Sequence, residues 1–130
     1  MIIGILTNVG QQCIGKYISD YASHSLYVAW GMCSTANAAL ETDTALVSEL
    51  DRKVATLTPA TNILTISASK TNVNPREILE VGIFDAASGG NMLYRGLFSD
   101  DSVTAKSRWV NAGDAISTSI VLDFASGVFT

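Results

Sequence analysis

The sequence predicts a mainly β protein: an antiparallel β-sandwich with one N-terminal amphipathic helix and a short second helix. Three observations carry that prediction. Near the C-terminus Ile116, Thr118, Ile120, Leu122 and Phe124 alternate with Ser117, Ser119 and Asp123, the period of a strand with one face buried. The run Glu80-Val81-Gly82-Ile83-Phe84-Asp85 and the run Met92 to Phe98 flank a turn containing Ser88-Gly89-Gly90, so a hairpin is expected there. The strand-like runs are joined mostly by short turns, which favours sheets packed face to face. At 130 residues the chain fits one domain, residues 1–130, around one core.

Taken in order, Met1-Ile2-Ile3-Gly4-Ile5-Leu6 reads as a strand; it is too short and lacks the basic start of a signal peptide. Asn8-Val9-Gly10-Gln11 has the spacing of a helix start. Val9, Cys13, Ile14, Tyr17, Ile18 and Tyr21 then recur at helical spacing, giving an amphipathic helix from about Val9 to Asp20. Ser25 to Met32 is a strand with apolar or small residues on both faces, which suits a central position. Cys33 to Glu41 is a loop of small residues. Asp43 is placed to cap the short second helix, with Leu46 and Leu50 on one face. Glu49 and Arg52, three apart near its end, are close enough to pair. Arg52 to Thr58 reads as an edge strand guarded by Lys53, and Pro59 to Asn62 as a turn.

In Ile63 to Ser69, Leu64, Ile66 and Ala68 face one way and Thr65 and Ser67 the other. A polar loop with Asn72, Asn74 and Pro75 leads to the Glu77–Asp85 strand and the hairpin, across which Glu80 is expected to face Arg95. Gly31 and Gly82 lie inside strands, where they allow close backbone approach or a bulge. The hairpin turn at Ala87 to Asn91 requires positive φ at Gly89 or Gly90. Ser99 to Gly113, with Asp100, Asp101, Lys106 and Arg108, is the longest polar stretch and is expected to be an exposed loop. The strand Ala115 to Phe124 is expected to be central.

Composition limits function. Apolar residues make up 48% of the chain and charged residues 15%, well below the usual quarter. So low a charge suits a subunit packed against neighbours, and equally a small domain with a Ser/Thr/Asn surface. The net charge is −4 and the eight basic residues are scattered, so no basic stripe exists to follow a phosphate backbone. No run is long enough to span a bilayer as a helix. Two cysteines, Cys13 and Cys33, make no disulfide framework and are expected to be free thiols.

Chemistry is sparse. His24, the one histidine, lies in a polar turn, and neither cysteine has a base near it in sequence. Asp100-Asp101 with Ser102 offers oxygen ligands for calcium, but without EF-hand spacing. One histidine and two separated cysteines do not make a zinc site. Gly89-Gly90 joins two strands and is no phosphate loop. The reading is therefore that the chain is no enzyme and carries no cofactor or metal. Tyr27, Trp30, Tyr94 and Trp109 are candidate stacking groups for sugars, or else core and interface anchors. Arg108 and Trp109, side by side in the long polar stretch with Asp100 and Asp101, are the candidate interface, and the C-terminal Ser126 to Thr130 is the fallback.

Three segments together carry a resemblance. They are Leu6-Thr7-Asn8-Val9-Gly10 before a helix; Val28-Ala29-Trp30-Gly31, a loop, and Asp43-Thr44-Ala45-Leu46-Val47-Ser48-Glu49-Leu50-Asp51-Arg52; and Glu80-Val81-Gly82-Ile83-Phe84-Asp85. Their order resembles the N-terminal, virion-attaching domains of phage tail-collar fibre proteins and short phage structural proteins. It covers Leu6 to about Phe98. The loop after Gly31 has less Gly and Pro than that pattern, and no fibre shaft is expected after Phe129. The resemblance implies a phage virion structural protein of the tail, neck or baseplate, a fibre-attachment or adaptor subunit. Its implied partners are other virion proteins and copies of itself in a symmetric homo-oligomer, without nucleic acid or membrane. It would be made in the host cytoplasm and carried in the virion. The alternatives are a capsid decoration (cement or head-fibre) protein, then a carbohydrate-binding module, then a small hydrolase using His24.

Overall fold

The computed structural model describes residues 2–10, 25–32, 38–60, 63–101, 104–123 and 126–130, with the Ile3 side chain excepted. The fold is mainly β and antiparallel. The strands are β1 (Ile2–Leu6), β2 (Tyr27–Gly31), β3 (Glu49–Val54), β4 (Thr56–Ala60), β5 (Ile63–Thr71), β6 (Arg76–Ile78), β7 (Glu80–Phe84), β8 (Met92–Phe98), β9 (Arg108–Val110), β10 (Ala115–Asp123) and β11 (Val128–Phe129). One sheet has the order β1-β8-β7-β2-β3 and the other β11-β10-β5-β4; β6 and β9 make a separate two-stranded ribbon.

Alternation builds the sandwich. Ile66 stands opposite Ile120, and Leu64 opposite Leu122, in the β5–β10 register. These side chains meet Val28, Trp30, Val81, Ile83 and Tyr94 of the five-stranded sheet in one core. Trp30 Nε1 donates to Thr118 Oγ1 at 2.7 Å, so the polar atom of the largest core side chain is satisfied across the layers. Ile116, Ile120 and Leu122 are buried and β10 is central, between β5 and β11. Phe124, expected beside them, lies outside the described residues. β2 lies between β7 and β3 with both faces covered, as its apolar faces predict.

The outer face of the five-stranded sheet is covered too. Leu46, from the 38–48 segment, packs on Ala29, Phe84 and Met92, and Leu79 and Leu97 are covered by Ala105. This is why every residue of β7 is buried.

The structure corrects several expectations. No second helix forms after Asp43: residues 43–48 are bends and coil, and Glu49 and Leu50 begin β3. The Val47 and Ser48 N–H groups donate instead to Glu80 Oε2 at 3.1 Å and Oε1 at 2.8 Å, which removes them from any helical ladder. The single edge strand Arg52–Thr58 is two strands. The chain leaves the five-stranded sheet at Val54 and enters the other at Thr56; between them the Ala55 N–H donates to Leu26 O at 2.8 Å. Pro59 is not in a turn but in β4, tolerated because β4 is an edge strand.

The Glu77–Asp85 run is likewise split, its first part going to the ribbon as β6. Of the expected Val9–Asp20 helix only Val9 and Gly10 are described; with Asn8 they are helical. Their cap is Thr7, whose Oγ1 accepts from the Gly10 N–H at 3.0 Å, one residue before the expected Asn8. The remaining residues of that expectation, with Cys13, and also Cys33 and His24, lie outside the described residues.

Candidate assembly surface

The Ser99–Gly113 segment is not all loop. Arg108–Val110 forms β9 and pairs antiparallel with β6, with Ile78 opposite Arg108, Glu77 opposite Trp109 and Arg76 opposite Val110. Alternation then decides which way each side chain points. Ile78 and Val110 face the core, so Glu77 and Trp109 face outward. Trp109 is 63% exposed, and its Nε1 donates to Asn111 Oδ1 at 3.0 Å.

Arg108 turns inward. Its Nη1 meets Asp100 Oδ1 at 2.8 Å, and its Nη2 donates to Ser99 O at 3.0 Å. Lys106 Nζ takes the other Asp100 oxygen at 2.7 Å. That Lys106 hydrogen bond, and then the Arg108 charge, hold the Asp100 carboxyl below the usual carboxylate range. Asp101 does separate work: its Oδ1 accepts from the Thr104 N–H at 2.7 Å, and Ser99 Oγ donates to Thr104 O at 2.7 Å, closing the turn. Both carboxylates are thus paired within the chain, although both residues are exposed. Among the described residues no group of three or more His, Cys, Asp or Glu could hold a metal.

The ribbon is fixed to the sandwich by Asn72. Its Nδ2 donates to Val110 O at 3.0 Å and Asn111 O at 3.2 Å, and the Gly113 N–H donates to Asn72 O at 2.8 Å. Val73, beside it, is 77% exposed. A braced ribbon therefore presents an exposed indole, an acidic neighbour and a nearby exposed valine.

Gly89 and Gly90 form the expected turn at the other end of the β7–β8 hairpin, with φ of 63° and 73°. Asp85 closes it, accepting from the Asn91 N–H at 2.7 Å and Asn91 Nδ2 at 3.0 Å. Arg52 clamps it from β3 by donating to Ala86 O and Gly89 O, both at 2.8 Å, while its guanidinium lies 3.5 Å from the centre of the Phe84 ring. Glu49 pairs with Arg52 as expected, through both carboxylate oxygens at 2.6 and 2.9 Å, but on a strand and not a helix.

The Glu80–Arg95 pair is also present, offset by one diagonal step, since Gly82 stands opposite Arg95. Arg95 reaches Glu80 Oε2 at 3.1 Å and Asp43 Oδ2 at 3.1 Å. The link to Asp43 has no sequence signal, because a residue 52 positions away supplies it. Above the pair lies an open hollow of about 380 Å³ lined by Ala38, Leu40, Ala45 and Val47. Of the four candidate stacking aromatics, Trp30 and Tyr94 are buried and Tyr27 is half-buried, which leaves Trp109 exposed.

Among the described residues no helix is long and apolar enough to cross a membrane. Compared with known proteins, the chain matches no family model and no curated protein.

Proposed function

We propose that this chain is a virion structural protein of a bacteriophage, a tail, neck or baseplate subunit of the fibre-attachment or adaptor type. It works by binding neighbouring virion proteins and copies of itself, not by catalysis. The observation that carries the reading is Trp109, 63% exposed on a braced ribbon whose adjacent basic groups are already paired internally. Tryptophan contributes large contact area at low entropic cost and is enriched among residues that dominate binding energy. The resemblance of the three segments between Leu6 and Phe98 supplies the class of assembly. The low charged fraction fits a surface that is covered in use.

The test is competition. Trp109→Ala should leave the isolated domain folded by circular dichroism and lower its incorporation into particles when it is co-expressed with wild type. Equal incorporation of the two would remove the ribbon from the assembly surface. Copy number then separates a tail position from the alternative, capsid decoration: a few or a few tens per particle for the former, hundreds for the latter.

A further inference from the structure

The outer face of the β11-β10-β5-β4 sheet is unlike the rest of the molecule. The register puts Thr58 beside Thr65, Ser67 beside Ser119, and Ser69 beside Ser117. Ser69, Ser117 and Ser119 are exposed, and the Ser69 and Ser117 hydroxyls are 3.0 Å apart. Lys70 belongs to the opposite face, where it stands opposite Ile116 and reaches Asp51. Among the described residues the one charged side chain on this face, Asp123, is at the rim, where its Oδ1 accepts from the Ser126 N–H at 3.1 Å and where Ile63, Val121 and Val128 make the same end of the face apolar. Soluble surfaces ordinarily carry roughly a quarter to a third charged residues. Here the charges go elsewhere: to Glu49 and Lys53 on β3, to Asp85 at the hairpin turn, and to Glu77, Asp100 and Lys106 around the ribbon.

We propose that this serine/threonine face is a homotypic contact, occupied by the same face of a second copy of the chain. Two arguments select that occupant. A hydroxyl both donates and accepts, so a field of Ser and Thr complements itself across a two-fold axis, as an isologous contact demands. The chain also carries a net charge of −4, so two copies repel, and they meet at least cost where neither presents charge. β5 and β10 have nine residues each. At about 3.4 Å per residue and about 4.8 Å between strands, the four strands of this face cover on the order of 400 Å² per copy. Two such faces bury on the order of 800 Å², below the roughly 1,000 Å² of a stable specific interface. The contact is therefore weak between isolated subunits and is reinforced where many copies are held together. It rests on the proposed function only in treating the chain as a multi-copy subunit.

Sedimentation of the purified full chain over a concentration series tests it without particles. The wild type should show a mass that rises with concentration. Ser119→Lys and Ser119→Glu, each with an unchanged melting temperature, should associate at least tenfold more weakly. An equimolar mixture of the two should regain association, because residue 119 lies near its own mate across the axis. Val54→Ala, at a 62% exposed position on β3 of the other sheet, should associate like wild type, which ties the loss to this face. A wild type that stays monomeric at every concentration, a Ser119→Lys variant that associates normally, a mixture no better than its components, or loss of association in Val54→Ala would each overturn the proposal. Absence of the chain from phage particles would instead defeat the virion reading and leave this contact standing.

Discussion

Arg95 is 2% exposed, a cation taken out of water in the middle of a strand. It is tolerated because Glu80 and Asp43 both meet it at 3.1 Å, while the second Glu80 oxygen accepts the Ser48 N–H. Gly31 makes room for this arrangement: a Cβ there would sit 2.5 Å from Glu80 Oε1. Breaking a buried pair by removing one partner costs about 3–5 kcal/mol, since the remaining charge stays buried and unmatched. Arg95→Met is therefore expected to lose that much stability in urea denaturation and to open the 38–48 segment to protease. At the hairpin turn the two glycines differ. A Cβ on Gly89 meets nothing, whereas one on Gly90 lies 2.5 Å from Asp85 Oδ1 and 2.7 Å from the Ala86 Cβ. Left-handed backbone costs a non-glycine residue about 1–2 kcal/mol. Gly89→Ala should lose about that much and Gly90→Ala clearly more; equal melting temperatures for the two variants would refute the difference.

Among the elements, β10 is the most strongly determined. Ile120 is fully buried opposite Ile66, so Ile120→Ala should cost about 2–5 kcal/mol by denaturant titration. A loss below about 0.5 kcal/mol would mean that the faces are reversed. The two sheets are also stapled at their margin by the Asp51–Lys70 ion pair between β3 and β5. The hydrogen bond from Lys70 holds the Asp51 carboxyl below its usual range. Such a group adds its full stability above the unfolded value of about 3.9 and loses it as pH falls through the lower folded value. The melting-temperature gap between wild type and Asp51→Asn should accordingly be open at pH 7 and close below about pH 4. The gap should be modest, because the Asp51 side chain is 43% exposed.

β10 and β5 were legible because alternation along nine residues leaves one answer. The 43–50 segment reads as a helix in the sequence because Leu46 and Leu50 are four apart, a helical spacing, while the Glu80 carboxylate that takes its N–H groups is more than 30 residues away. The crossing at Ala55 has no local signature either, since both halves read as one edge strand. β9, at three residues, is too short for periodicity to register, so its outward Trp109 and inward Arg108 became visible only with β6 beside it.

At the scale of the whole molecule, the sandwich offers two faces of different chemistry. The ribbon presents a single large aromatic anchor, suited to a different protein with a pocket for it. The serine/threonine sheet face presents many small, self-complementary groups, suited to another copy. On the proposed reading the ribbon takes a different virion protein and the sheet face takes a second copy. The most direct test is quantitative mass spectrometry of gradient-purified phage particles from cells expressing this chain. The account predicts that the chain co-purifies with intact particles in a fixed ratio to the major capsid protein, a ratio that survives a high-salt wash. Recovery of the chain only from the soluble lysate, with none in particles, would contradict it.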